Sequence, residues 1–176
     1  PRKKTETNPS VPQWIKENPE YIKNWFRGEI LGDGNIRVEK RYIEWNRTLK
    51  IPKYTNIWQK LADLITTHPK AQYSPYMNSL KLSQSHVPID INNVIIQHYI
   101  PKMFQEETKI LENLNIFTNT CYRLSYYKST KNITVIWRAY TSDEETIKLA
   151  KFLGFSKTPW HATKIKKLRQ LEALEI

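Results

Sequence analysis

Apolar residues recur at helical spacing at Tyr21, Ile22, Trp25, Phe26 and Ile30, so the sequence predicts a helix from Pro19 to about Gly32. Asn18 is placed to cap it, and Pro19 suits the first helical position because the amide it lacks would have no partner there. The pattern breaks at Gly32-Asp33-Gly34. Beyond it Ile36 and Val38 alternate with Arg37 and Glu39, and Ile43 and Trp45 alternate with Tyr42, Glu44 and Asn46, a period of two that predicts extended chain. Residues 54–67 set Ile57, Leu61, Leu64 and Ile65 on one helical face. Residues 71–90 carry a weaker pattern, with Leu80 and Leu82 marking a short strand between Pro75 and Pro88. Helical period returns over 91–116, and Pro101 divides it, so 102–116 reads as a separate helix. Two extended runs, 120–128 and 132–140, predict a hairpin. Ser142 and Glu145 have capping-box spacing for a helix through Phe152 that ends at Gly154. Ile165, Leu168, Leu171 and Leu174 place a last helix within 161–176. The expected organisation is a basic flexible arm over 1–12, where no apolar period exists, and a single α+β domain over 13–176.

Charge narrows the partner. The 176 residues include 28 Lys and Arg against 17 Asp and Glu, a net of +11. That excess points to a polyanion, bound through phosphate neutralisation and counterion release. At 39% hydrophobic and 12% aromatic residues the bulk of the chain is expected to fold. No apolar run is long enough to span a membrane and none follows the basic start as a secretory signal would, so a soluble intracellular protein is expected. Cys121 has no second cysteine for a disulfide or a thiolate metal site. His68, His86, His98 and His161 lack metal-ligand spacing, and Trp25 and Trp58 lie on apolar helical faces as core residues.

Glycine is scarce, and its placement carries the chemistry. Three of the four glycines, Gly28, Gly32 and Gly34, fall within seven residues around Asp33. A glycine inside a helix costs about 1 kcal/mol relative to alanine, so Gly28 calls for a close neighbour. Gly32 and Gly34 flank an acid where the chain turns and backbone carbonyls are exposed, oxygens that suit Mg²⁺. Without further context Asp33 is a helix-terminal turn residue and the cations at Lys157, Lys164, Lys166, Lys167 and Arg169 form a solvated face.

The run Phe26-Arg27-Gly28-Glu29-Ile30-Leu31-Gly32-Asp33-Gly34-Asn35-Ile36 resembles the signature helix of the LAGLIDADG homing endonucleases. It departs at Glu29, where the family usually has an apolar residue, and at Leu31, where an acid is common. A hairpin strand at Ile133 to Tyr140, a short helix, Gly154-Phe155 and then Lys164-Ile165-Lys166-Lys167-Leu168 extend the resemblance over about 20–48 and 102–170. Residues 50–95 remain as an insertion or divergent middle.

The resemblance implies an αββαββα core with an antiparallel, saddle-shaped sheet flanked by helices. It implies a site-specific endonuclease of double-stranded DNA using Mg²⁺ or Mn²⁺, with Asp33 as the acid and the Gly32 carbonyl as a further metal ligand. Lys164 is the candidate for stabilising charge at the scissile phosphate, ahead of Lys157. Gly28, Gly32 and Gly34 would let two such helices pack. Only one signature helix is present, so cutting both strands calls for a homodimer. On strand parity Ile36, Val38, Ile43 and Trp45, with Tyr122, Leu124, Ile133, Val135 and Trp137, face the helices. The residues assigned to DNA are Arg37, Glu39, Tyr42, Asn46, Arg47, Arg123, Ser125, Tyr127, Arg138, Lys166 and Lys167. The alternative is a non-catalytic nucleic-acid binder on the same fold, an intron RNA maturase or a transcription regulator, which Glu29 and the missing second acid favour.

Overall fold

Asn18 caps the signature segment as its sequence requires: its Oδ1 accepts from the amides of Glu20 at 2.9 Å and Tyr21 at 3.4 Å. The computed structural model describes residues 7–159 and 162–175. A single turn, α1 (Gln13–Lys16), precedes this helix, α2 (Pro19–Gly32). Then come β1 (Asn35–Arg37), β2 (Tyr42–Ile51), α3 (Asn56–Thr67), β3 (Gln72–Ser74) and β4 (Ser79–Ser83). They are followed by α4 (Ile89–His98), α5 (Lys102–Asn113), β5 (Asn119–Tyr127), β6 (Asn132–Ser142), α6 (Asp143–Leu153) and α7 (Thr163–Glu172). The protein is thus α+β, with seven α-helices among the described residues and one six-stranded antiparallel sheet ordered β1-β2-β6-β5-β4-β3. Among the described residues no helix is long and apolar enough to cross a membrane.

Contacts divide the chain into two compact units where the sequence predicts one domain. The middle segment has enough apolar residues for its own core. In the unit built on Arg47–Gln105 and Cys121–Trp137, Ile57, Leu61, Ile65, Leu82 and Ile95 are buried together with Leu124, Ile133 and Val135. There the Trp137 ring lies 5.0 Å from Tyr122 and 5.7 Å from Phe104, and its indole N–H donates to the Tyr99 carbonyl at 2.8 Å. Burial pushes the Tyr122 phenol up to about 12, and its hydroxyl donates to Asn92 at 2.7 Å.

The unit built on Ser10–Asn46, Glu106–Thr120 and Arg138–Ile176 contains α2. Phe26 and Ile30 bury that helix's apolar face, and the Phe26 ring meets Trp45 edge-on at 6.1 Å. Glu107, fully buried, accepts from the indole N–H of Trp25 at 2.9 Å and of Trp45 at 3.3 Å. One carboxylate on α5 thereby fixes both α2 and β2.

Several local expectations change. Of the expected arm, residues 1–6 lie outside the described residues, but 7–12 are tied down. Asn8 accepts from the Lys102 amide at 2.7 Å, Val11 is 1% exposed, and its amide donates to Glu106 at 2.6 Å. β1 ends at Arg37, so Val38 and Glu39 lie in a 3₁₀ turn closed by Arg41 in the left-handed region, φ 43°. The capping box does not form. Ser142 makes no cap hydrogen bond, and Glu145 instead accepts from the Phe117 amide and the Lys148 ammonium, both at 2.6 Å. β3 is a strand the weak pattern did not predict, paired through Tyr73 opposite Leu80.

Candidate functional site

Asp33 stands at the C-cap of α2, exposed, with its amide donating to the Glu29 carbonyl at 2.9 Å. A helix end leaves carbonyls without partners and a partial negative charge. Lys164, at the start of α7, answers both: its Nζ donates to Gly32 O at 2.9 Å, to Leu31 O at 3.0 Å and, more weakly, to Ile30 O at 3.5 Å. The structure therefore brings Asp33, Gly32 and Lys164 together. A similar clamp closes the C-terminal end of α6 in the same unit. Arg27 of α2 donates through Nε to Leu153 O at 2.7 Å and through Nη2 to Gly154 O at 3.0 Å, with its guanidinium 5.2 Å from the Phe155 ring centre. Gly154 closes α6 with φ 61°, a conformation glycine adopts without strain. Arg27 was not among the expected site residues, because nothing local to it shows which helix end it will meet.

The three signature glycines have different surroundings. A Cβ at Gly28 or Gly32 would meet nothing within 4 Å, so both lie on an open face of α2. A Cβ at Gly34 would come 2.5 Å from Ile30 O and 2.8 Å from Ile30 Cα. Gly34 is thus needed for the chain to fold back on its own helix.

Mg²⁺ takes hard oxygens, commonly one or two carboxylates with waters and substrate phosphate oxygens. Asp33 offers one exposed carboxylate of that kind. The Gly32 carbonyl, expected as a second ligand, holds the Lys164 ammonium. Among the described residues no three His, Cys, Asp or Glu side chains gather to hold a metal. Of the two expected metal ligands, the Asp33 carboxylate is exposed and the Gly32 carbonyl is engaged by Lys164.

On the strands of this same unit a second cluster forms. Glu44 accepts from Asn35 at 3.0 Å and from the Tyr42 hydroxyl, and pairs with Arg138 at 3.5 Å. Burial works against its ionisation, but the hydrogen bonds from Tyr42 and Asn35 and the charges of Arg138 and Arg37 outweigh it and hold its carboxyl below the usual range. Arg37 lies 5.9 Å from the Tyr42 ring and Arg138 5.5 Å from the Tyr140 ring, while the two tyrosine rings are 5.4 Å apart. Three expected contact residues, Arg37, Tyr42 and Arg138, are thus assembled around Glu44. Tyr140 was missed, although its place two residues after Arg138 on a strand puts it on the same face. Asn46 and Glu39 are exposed, the latter in the 3₁₀ turn.

Other assignments shift. Arg47 alternates with Asn46, so it follows the buried Trp45 and Leu49 and leaves the outward face. Lys167 donates to Ile36 O at 3.1 Å, whereas Lys166 is exposed. In the other unit Arg123 is exposed opposite Ser83, and Tyr127 is half-buried opposite Ser79. Ser125 shares their face opposite Lys81 but is fully buried. No protein-family model, curated protein or solved structure matches this chain.

Proposed function

We propose that the protein is a site-specific endonuclease of double-stranded DNA, of the LAGLIDADG kind, acting as a homodimer. The observation that carries this reading is Asp33, an exposed carboxylate at the end of a helix whose neighbouring face is open at Gly28 and Gly32. Two such faces lack the Cβ atoms that keep backbones apart, so two copies of α2 can pack there and bring two Asp33 carboxylates together. The order of elements supports it. With α3, β3, β4 and α4 set aside as the insertion, α2, β1, β2, α5, β5, β6 and α6 follow the αββαββα order.

In this reading Asp33 would hold Mg²⁺ or Mn²⁺, and the ion when bound would supply Lewis-acid charge at the scissile phosphate. Lys164 fixes the end of α2 and sets its positive charge beside Asp33. Arg37, Tyr42, Asn46 and Arg138 face the base edges and backbone, with Glu44 holding Arg138 in place. The test is selection of cleaved targets from a random duplex library with Mg²⁺. We expect a specific cut site, with cleavage lost in Asp33→Asn and binding retained. Specific binding with no cleavage, unchanged by Asp33→Asn, overturns it.

A second reading, a non-catalytic binder of intron RNA or of promoter DNA, is favoured by the Lys164 ammonium on the Gly32 carbonyl, where a second metal ligand is expected. The same selection separates the two, since this reading yields no cut target.

A further inference from the structure

A cleft of about 340 Å³ opens between α3 and α4, within the unit built on Arg47–Gln105 and Cys121–Trp137. That volume lies in the range of pockets that take small organic molecules. Both helices belong to the segment that stands outside the αββαββα order, and no residue of the cleft has a place in the proposed cutting of DNA. Ile57 of α3 is buried, and Ile91 and Val94 of α4 are half-buried, so the three form an aliphatic floor beneath an exposed, polar rim.

Two opposite charges stand on that rim without a partner. Lys60 of α3 has a carboxylate one turn on, Asp63, at a spacing that commonly forms an ion pair. Asp63 instead accepts from Gln59 at 2.8 Å. The Lys60 ammonium then has no hydrogen-bond or ion-pair partner among the described residues, and the same holds for Asp90 in the first turn of α4. Lone surface charges are ordinary. Two of opposite sign on one apolar cleft, not paired with each other, match a ligand that carries both.

The shape of the cleft orders the parts of that ligand. Asp90, Val94 and His98 occupy successive turns of one face of α4, so the cleft runs about 12 Å along the helix, from a carboxylate at its start to the rings of His98 and Tyr99 at its end. An ammonium at Asp90, a carboxylate at Lys60 and a planar apolar group over Ile91 and Val94 toward those rings satisfy each part. Thr55 adds to the carboxylate position. Its hydroxyl donates to Pro52 O at 2.7 Å and caps nothing, so the first-turn amides of α3 have no side-chain acceptor on the same cleft.

We propose that this cleft binds a zwitterionic aromatic α-amino acid, which makes the inserted segment a ligand-binding module. The proposal is independent of the nuclease reading.

Ligand-observed NMR titration of the 176-residue chain with L-phenylalanine tests it. Two analogues run beside it: hydrocinnamate, which lacks the ammonium, and phenethylamine, which lacks the carboxylate. L-phenylalanine is expected to bind with a Kd of about 1 mM or below, and each analogue about tenfold more weakly, having lost one charge-assisted contact. Lys60→Gln should weaken L-phenylalanine about tenfold and leave phenethylamine unchanged, whereas Asp90→Asn should weaken L-phenylalanine about tenfold and leave hydrocinnamate unchanged. No saturable binding of L-phenylalanine, or binding that both variants leave unchanged, overturns the proposal. So does either analogue binding as tightly as the amino acid, which makes the cleft a site for a plain anion or cation. Both substitutions fall at exposed positions, and thermal melts check the fold. Should either variant melt early, the two analogues on the wild-type chain decide alone. No DNA enters these measurements, so their failure leaves the proposed function as it stands.

Discussion

The Lys164 ammonium lies 2.9 Å from the Gly32 carbonyl oxygen, so the end of the helix that presents Asp33 is closed by a side chain 132 residues further along the chain. The same amine reaches Leu31 O at 3.0 Å, which makes it a charge-assisted cap for a full turn of unpaired carbonyls.

Removing that cap is expected to destabilise the fold. Lys164→Met should lower the unfolding free energy by about 1–2 kcal/mol, the range for a cation hydrogen-bonded at a helix C-terminus, and Lys164→Arg by less. Urea denaturation measures both. Under the proposed nuclease reading, cleavage per folded molecule separates the brace from a role at the phosphate: a brace alone leaves that rate unchanged.

Gly28 and Gly34 should respond in opposite directions to alanine. Gly28 is helical with open space around it, so Gly28→Ala should stabilise the isolated chain by about 0.5–1 kcal/mol. Gly34→Ala drives a Cβ to within 2.5 Å of Ile30 O and should be destabilising. Differential melts read both. If α2 pairs with a second copy, sedimentation should also show Gly28→Leu as less dimeric than the wild type.

Glu107 holds two indole N–H groups in the core beside α2. Glu107→Leu leaves Trp25 and Trp45 without an acceptor, each orphaned donor costing about 1–3 kcal/mol. A loss of at least about 2 kcal/mol is expected on denaturation, and a smaller one for Glu107→Gln, whose amide oxygen still accepts.

Alkaline pH should loosen the unit that contains Tyr122. Its phenol is held neutral to about 12 in the folded chain, against an ordinary 10.0. Between those values the unfolded chain has released the proton and the folded chain keeps it, so stability falls as pH rises through that window. Melts from pH 9 to 12 should show a descending limb that is shallower in Tyr122→Phe, on top of that variant's loss of the Asn92 hydrogen bond.

Much of the local structure was legible in the sequence because its causes are local. Asn18-Pro19 starts α2 and the Gly32-Asp33-Gly34 turn ends it; Pro101 separates α4 from α5; the alternation of Ile133, Val135 and Trp137 sets the buried face of β6. Each is a steric or periodic effect acting within a few residues. Where a pattern has two local solutions the spacing alone does not choose between them: Ser142 and Glu145 have cap spacing, but the Phe117 amide and Lys148 claim the carboxylate. Arg47, expected to face outward with Asn46, takes the opposite face because successive strand residues alternate.

The sequence by itself determined the elements, the glycine-flanked acid and an excess charge of +11. Only the tertiary structure decided which cation closes which helix, as with Lys164 at Gly32 and Arg27 at Leu153. It alone gave Glu107 its two tryptophan donors and set Lys60 and Asp90 on one cleft. A helix end attracts any cation and an indole N–H any acceptor. The partner each finds is chosen by the path of the chain.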